Sequence, residues 1–181
     1  MAVVESLAEE REEGGDLVLW ILVWSELAAF GVLLCGFMVM SFLHPESFSL
    51  AKLHLNGRLA SINTLVLIAS GWLAAEAARA AAERIRTIAL VSSAALGFLF
   101  AAIKVLEYQS ELRFAGDATF SAFFELYFLI TGFHLAHVIF LSLLMLLIAR
   151  RPERSNVTLV TTVWHVIDIV WLVIFPIVYL G

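Results

Sequence analysis

The chain has 181 residues, of which 62% are hydrophobic and only 15% charged, with a mean hydropathy of +0.96. Soluble domains average about 45–50% apolar and ~25% charged residues, so the surplus apolar surface here needs lipid rather than water as its solvent. A net charge of −5 with no basic patch points away from nucleic acid, and the single cysteine, Cys35, excludes disulfide frameworks and thiolate metal clusters.

Residues 1–16 form an acidic N-terminal tail in which Glu5, Glu9, Glu10, Glu12, Glu13 and Asp16 oppose only Arg11. The segment lacks the basic start and short apolar run of a cleavable signal, and its composition is that of a solvated, disordered tail. Residues 17–181 then carry five apolar stretches, at about 17–43, 59–78, 87–108, 120–149 and 157–180. Each is long enough to span a bilayer, and together they leave no room for a soluble catalytic domain. The expected fold is an all-α bundle of five transmembrane helices. His44-Pro45 closes the first span, Ala115-Gly116-Asp117 precedes the fourth, and Arg150-Arg151-Pro152 ends it. The connector over residues 44–58 is expected at the membrane interface, and Pro176 is expected to kink or end the fifth span. Small residues at Ala60, Thr64, Gly71, Ala74 and Ala78, with Leu67, predict a close-packing face on the second.

Arg11, Arg79, Arg84, Arg86, Arg150, Arg151 and Arg154 collect on one side of this topology, against Lys52, Arg58, Lys104 and Arg113 on the other. The positive-inside rule places the N-terminus in the cytoplasm and the C-terminus outside.

Ionisable residues inside hydrocarbon cost roughly 2.5–3.5 kcal/mol each on insertion scales, so each needs a reason. Glu26 lies about nine residues into the first span, or ~13 Å deep, where a neutral carboxyl is favoured unless a cation or donors lie close. It serves either as a hydrogen-bonded structural acid or as a proton-handling, reactive carboxylate. His134 and His137 are i,i+3 and share a helix face, with Thr131 a turn earlier. His165 and Asp168 are also i,i+3, with Asp168 expected to accept from the imidazole, and Trp164, Asp168 and Trp171 form an i, i+4, i+7 stripe. Asn63 needs a partner across a helix interface. Lys104 and Glu107, next to Tyr108, are expected to pair or snorkel as an anchor near the outer surface. These residues allow an interhelical polar network. They also allow a metal site built from Glu26, Glu107, His134, His137, His165 and Asp168, or a proton-conducting path. No Glu-x-x-His pair of the kind used by carboxylate-bridged metal bundles is present, and His134 and His137, on one turn, do not sandwich a haem iron.

Read in order, the segments resemble the subunit III family of haem-copper cytochrome oxidases. Trp24-Ser25-Glu26-Leu27, running on to Phe42-Leu43-His44-Pro45, looks like that family's third helix, with Glu26 at its carbodiimide-reactive glutamate. Ile62-Asn63-Thr64-Leu65-Val66-Leu67 with Ser70-Gly71 resembles the next helix, and Glu107-Tyr108 the pair closing the one after. Thr131-Gly132-Phe133-His134-Leu135-Ala136-His137-Val138 matches T-G-x-H-x-x-H-V. Trp164-His165-Val166-Ile167-Asp168-Ile169-Val170-Trp171, followed by Tyr179, matches W-H-x-x-D-x-V-W. The front departs from the seven-helix form, which has two further helices before the glutamate helix. Five-helix relatives form two branches, the subunit III of bacterial quinol oxidases and the NorE-type protein associated with nitric oxide reductase. Asn63-Thr64 and the run Phe123-Phe124-x-x-Tyr127-Phe128 look closer to the second.

The resemblance implies a non-catalytic accessory subunit in a bacterial plasma membrane, with no haem, copper or other cofactor of its own. Its implied partners are the catalytic subunit I of an oxidase or nitric oxide reductase and membrane phospholipid, and it would support assembly and proton uptake.

Overall fold

The computed structural model describes residues 2–116 and 119–180, with the side chains of 2–16 and of residue 18 outside the description. Among the described residues the chain is helical and has no strands. In order it forms α1 (Ala2–Leu43), α2 (Pro45–Lys52), α3 (Gly57–Arg79), α4 (Glu83–Ala115), α5 (Ser121–Ile148) and α6 (Arg154–Phe175), and closes with a π-helical turn (Pro176–Leu180). Five of these are long and apolar enough to cross a membrane: 19–43 within α1, then α3, α4, α5, and α6 with its closing turn. This is a multi-pass, all-α membrane bundle.

Local chemistry sets the element boundaries. Pro45 occupies the first turn of α2, where its missing N–H costs nothing. Asn56 caps α3 by accepting from the Leu59 amide at 3.1 Å. Pro176 has no N–H to continue the α-helical ladder, and the chain goes on in π geometry. The acidic segment expected as a disordered tail is instead helical and continuous with the first span. Its Ala, Leu, Glu and Arg residues are strong helix formers, and they extend a helix already nucleated by the apolar span.

Helices α3, α4, α5 and α6 form a ring in which α3 packs on α4 and α6, and α5 packs on the same two; α1 leans on α5 and α6 from outside. Only 17% of α1's most apolar window is buried, against 39–44% for the other spans, which puts α1 at the edge of the bundle. Two glycines allow the tightest crossings. A side chain at Gly97 would strike Ser142 Oγ and the Trp164 ring, and one at Gly71 would strike the Asp168 carboxyl. The small-residue face of α3 runs as expected through Ala60, Thr64, Leu67, Gly71 and Ala74, but Ala77 is buried in place of Ala78. Ala78 is five full turns from Ala60 and still in line with it, so the burial of Ala77 shows the buried stripe turning around α3 at its C-terminal end.

The connector expected at the interface contains α2, whose Phe48 packs edge-on against Phe37 and Phe123 at 5.4 and 5.3 Å. At its end Lys52 donates to the Ile177 carbonyl, and partial burial holds its pKa below the ordinary lysine value. At the opposite end of the bundle Arg86 is buried and donates to the carbonyls of Pro152 (2.5 Å) and Ala80 (3.1 Å). One guanidinium thus clasps the α3–α4 and α5–α6 turns together.

Candidate functional site

The polar residues inside the bundle separate into three centres. The first joins α1 to α5. His137 Nδ1 lies 2.7 Å from the Phe133 carbonyl, which can only accept, so Nδ1 carries a proton. Its Nε2 faces Glu26 Oε2 at 3.1 Å, off the ideal hydrogen-bond line. With Nδ1 already protonated, that contact is attractive only if a further proton lies between the two groups. A neutral acid facing the imidazole or a carboxylate facing an imidazolium meets this condition, and either pair has zero net charge. Phe30 covers it edge-on, 5.7 Å from the His137 ring and 5.0 Å from Phe133.

His134 does not share this site. One turn earlier on α5, it points into the core between Trp171 (4.9 Å) and Phe100 (5.7 Å), fully buried, and neither nitrogen hydrogen-bonds to a described residue. Thr131 is also diverted: it donates to the Tyr127 carbonyl at 2.6 Å and accepts from Tyr108 at 2.8 Å.

The second centre is organised by Lys104. The expected surface anchor is instead fully buried, with Glu107, because aromatic side chains from α5, α6 and the closing turn converge on it. Its three ammonium protons meet three acceptors: Glu107 Oε2 at 3.1 Å, the Tyr127 hydroxyl at 2.8 Å and the Tyr179 hydroxyl. Tyr179 in turn donates to Glu107 Oε1 at 2.6 Å and lies 2.9 Å from the Tyr127 hydroxyl. The rings of Tyr108, Tyr127, Trp171 and Tyr179 stand 4.9–5.3 Å from the ammonium, within cation–π range. Glu111 extends the stripe by one turn and is fully buried, with no hydrogen bond to either oxygen among the described residues. Sequence reading passed over Glu111 and Tyr127 as parts of this centre. The signal for Glu111 was present, since Lys104, Glu107 and Glu111 follow i, i+3, i+7 spacing. The π-helical turn matters here because it carries Tyr179, whose hydroxyl ties the C-terminal end to α4 and α5.

The third centre is the α3/α6 crossing. Trp171 donates its indole N–H to Thr64 Oγ1 at 3.0 Å, and Trp164 and Trp171 are both fully buried. Asn63 donates to the Phe100 carbonyl of α4 at 3.1 Å. The expected Asp168–His165 hydrogen bond is not formed: Nδ1 and Oδ2 stand 3.9 Å apart, because Asp168 turns into the space left by Gly71.

The six residues considered as metal ligands are dispersed over these centres. Glu26 meets His137, Glu107 meets Lys104, His134 lies among aromatic rings, and His165 and Asp168 face α3. Among the described residues no group of three or more His, Cys, Asp or Glu is placed to hold a metal ion.

Residues 13–181 match the family model described as cytochrome c oxidase subunit III. The chain belongs to this family. It is 32% identical over 133 residues to a probable cytochrome c oxidase subunit 3 of Rickettsia prowazekii, an alignment covering 66% of this chain and 46% of the relative. It is 22% identical over 186 residues to a probable quinol oxidase subunit 3 of Staphylococcus saprophyticus, covering 95% and 92%. A cytochrome c oxidase subunit 3 of Thermostichus vulcanus is 26% identical over 192 residues, covering 99% and 93%. The chain therefore spans about half the length of some curated family members and nearly the full length of others. The motifs that carry the resemblance contribute to each polar centre, with Glu26 and His137 in the first, Glu107 in the second and Trp171 in the third, whereas Lys104 and Glu111 lie outside them.

Proposed function

We propose that this chain is a non-catalytic accessory subunit of a respiratory haem-copper oxidase or nitric oxide reductase complex, binding the catalytic subunit I in a bacterial plasma membrane. The observation that carries this reading is the subunit III family match over residues 13–181. The near full-length alignment with a relative named as a quinol oxidase subunit adds to it. The internal chemistry suits a supporting role. Lys104, Glu107, Tyr127 and Tyr179 satisfy one another and tie α4, α5 and the C-terminal turn into a rigid unit. The Glu26–His137 pair, partly open toward the membrane, holds a transferable proton without net charge, which fits support of proton uptake by a neighbouring catalytic subunit.

The orientation we propose has the N-terminus in the cytoplasm. Arg79, Arg84, Arg86, Arg150, Arg151 and Arg154 gather near the two turns clasped by Arg86, and the positive-inside rule favours that end as cytoplasmic. The test is purification of the tagged chain from its native membrane in mild detergent. A haem-bearing oxidase or nitric oxide reductase subunit I is expected in stoichiometric amount, and its identity assigns the branch. A chain that purifies outside any such assembly refutes the reading.

A further inference from the structure

The Lys104 centre holds one cation and two carboxyls, and its hydrogen bonds serve only one of the carboxyls. Glu107 receives the Lys104 ammonium on Oε2 at 3.1 Å, and on Oε1 the hydroxyls of Tyr179 at 2.6 Å and Tyr127 at 3.3 Å. The other two ammonium protons go to the Tyr127 and Tyr179 hydroxyls, so Lys104 has none left to give. Glu111 is fully buried one turn further along α4, and neither of its oxygens meets a donor among the described residues. The ionisable groups that face it are Lys104 and Glu107 on α4, Tyr127 on α5 and Tyr179 on the closing turn.

Charge and donor counts agree on where the protons lie. Glu107, with three donors, is the carboxylate that balances Lys104. A second carboxylate at Glu111 would leave the centre with a net negative charge, shielded by neither water nor a donor. Helix α4 ends one turn later, and the negative end of its dipole adds to that penalty. A proton on Glu111 brings the centre to zero net charge.

We propose that Glu111 is a proton-binding site, which holds one exchangeable proton beside the Lys104–Glu107 pair and trades it with water at the connector end of the bundle. Glu111 lies four residues, or ~6 Å, from the end of α4. Phe114 follows at i+3 on the same face, and the exposed His54 of the α2–α3 connector stacks on its ring at 4.2 Å. An exposed imidazole thus stands one turn beyond the buried acid. Lys104 and Glu111 lie outside the motifs that carry the family resemblance, so the site is independent of the accessory-subunit reading.

The experiment is infrared spectroscopy of the full chain in lipid at neutral pH, reading the C=O stretch of protonated carboxyl groups. A band is expected that moves on transfer to heavy water and is absent from Glu111→Gln. That variant should unfold at or above the wild-type temperature, because it no longer takes up a proton on folding. Glu111→Leu gives the same reading from an apolar side chain, since the group it deletes makes no hydrogen bond. Glu107→Gln should also remove the band, because Glu111 then ionises to balance Lys104, whereas Glu26→Gln should leave it in place. A band that survives in either Glu111 variant, persists in Glu107→Gln or stays unmoved in heavy water overturns the site. Absence of the band from the wild-type chain overturns it too, and an unfolding temperature higher in sodium chloride than in choline chloride would then make the centre a cation site.

Discussion

Replacing Lys104 by Met keeps the volume of the side chain and removes its charge, and the structure specifies what is left behind. Glu107 Oε2 loses its donor at 3.1 Å, the Tyr127 hydroxyl loses one at 2.8 Å, and Tyr179 loses its contact with the ammonium. The Glu107 carboxyl then lies fully buried without a cation, one turn from a second buried carboxyl at Glu111. Breaking a buried ion pair from one side typically costs about 3–5 kcal/mol, most of it the penalty of the stranded partner. Tyr127→Phe should cost only about 0.5–1.5 kcal/mol, since Glu107 keeps both Lys104 and Tyr179. The double variant Lys104→Met/Glu107→Gln removes the stranded charge and should recover most of the loss. Equilibrium unfolding of the purified subunit in mixed micelles, followed by circular dichroism over an SDS titration, measures all three. If Lys104→Met lies within about 0.5 kcal/mol of wild type, or the double variant is no better than the single, Lys104 is not the cation that balances this core.

Two further outcomes follow from the other centres. A hydrophobic carbodiimide at neutral pH should label Glu26, because the proton held between Glu26 and His137 can sit on the carboxyl and the side chain is partly open to the membrane. Peptide mapping checks this, with Glu26→Gln abolishing the adduct; an unlabelled Glu26 would mean a carboxylate held firmly by an imidazolium. Gly97→Ala should cost about 1–3 kcal/mol by overpacking the α4 crossing against Ser142 and Trp164. Adding Ser142→Ala removes one of the two obstacles and should restore part of that loss in the same unfolding assay.

The spans were legible because lipid imposes a rule that acts residue by residue: about 20 apolar side chains in succession, with breaks marked by His44-Pro45 and Arg150-Arg151-Pro152. The need of Asn63 for a partner was legible for the same reason, although the Phe100 carbonyl that answers it lies 37 positions away. The direction of Lys104 was not. A lysine near the end of a span can snorkel outward or turn inward. The inward choice is decided by Tyr127 and Tyr179, which are 23 and 75 positions distant and brought close by α5 and the π-helical turn. His134 and His137 illustrate the same limit from within one helix. Their i,i+3 spacing put them on one face, yet that face is wide enough for one ring to enter the aromatic core and the other to reach α1.

The sequence by itself therefore determined the apolar character of the chain, the number of spans and, through five ordered motifs, the family. Each of these depends on composition or on residues close together along the chain. The tertiary structure decided the pairings: Glu26 with His137, Lys104 with Glu107 and two tyrosines, and Asp168 turned toward Gly71 instead of held by His165. A buried polar group is satisfied by whichever donor or acceptor the packing of distant helices brings within about 3 Å, and that is set by which helices neighbour one another, not by periodicity along any one of them.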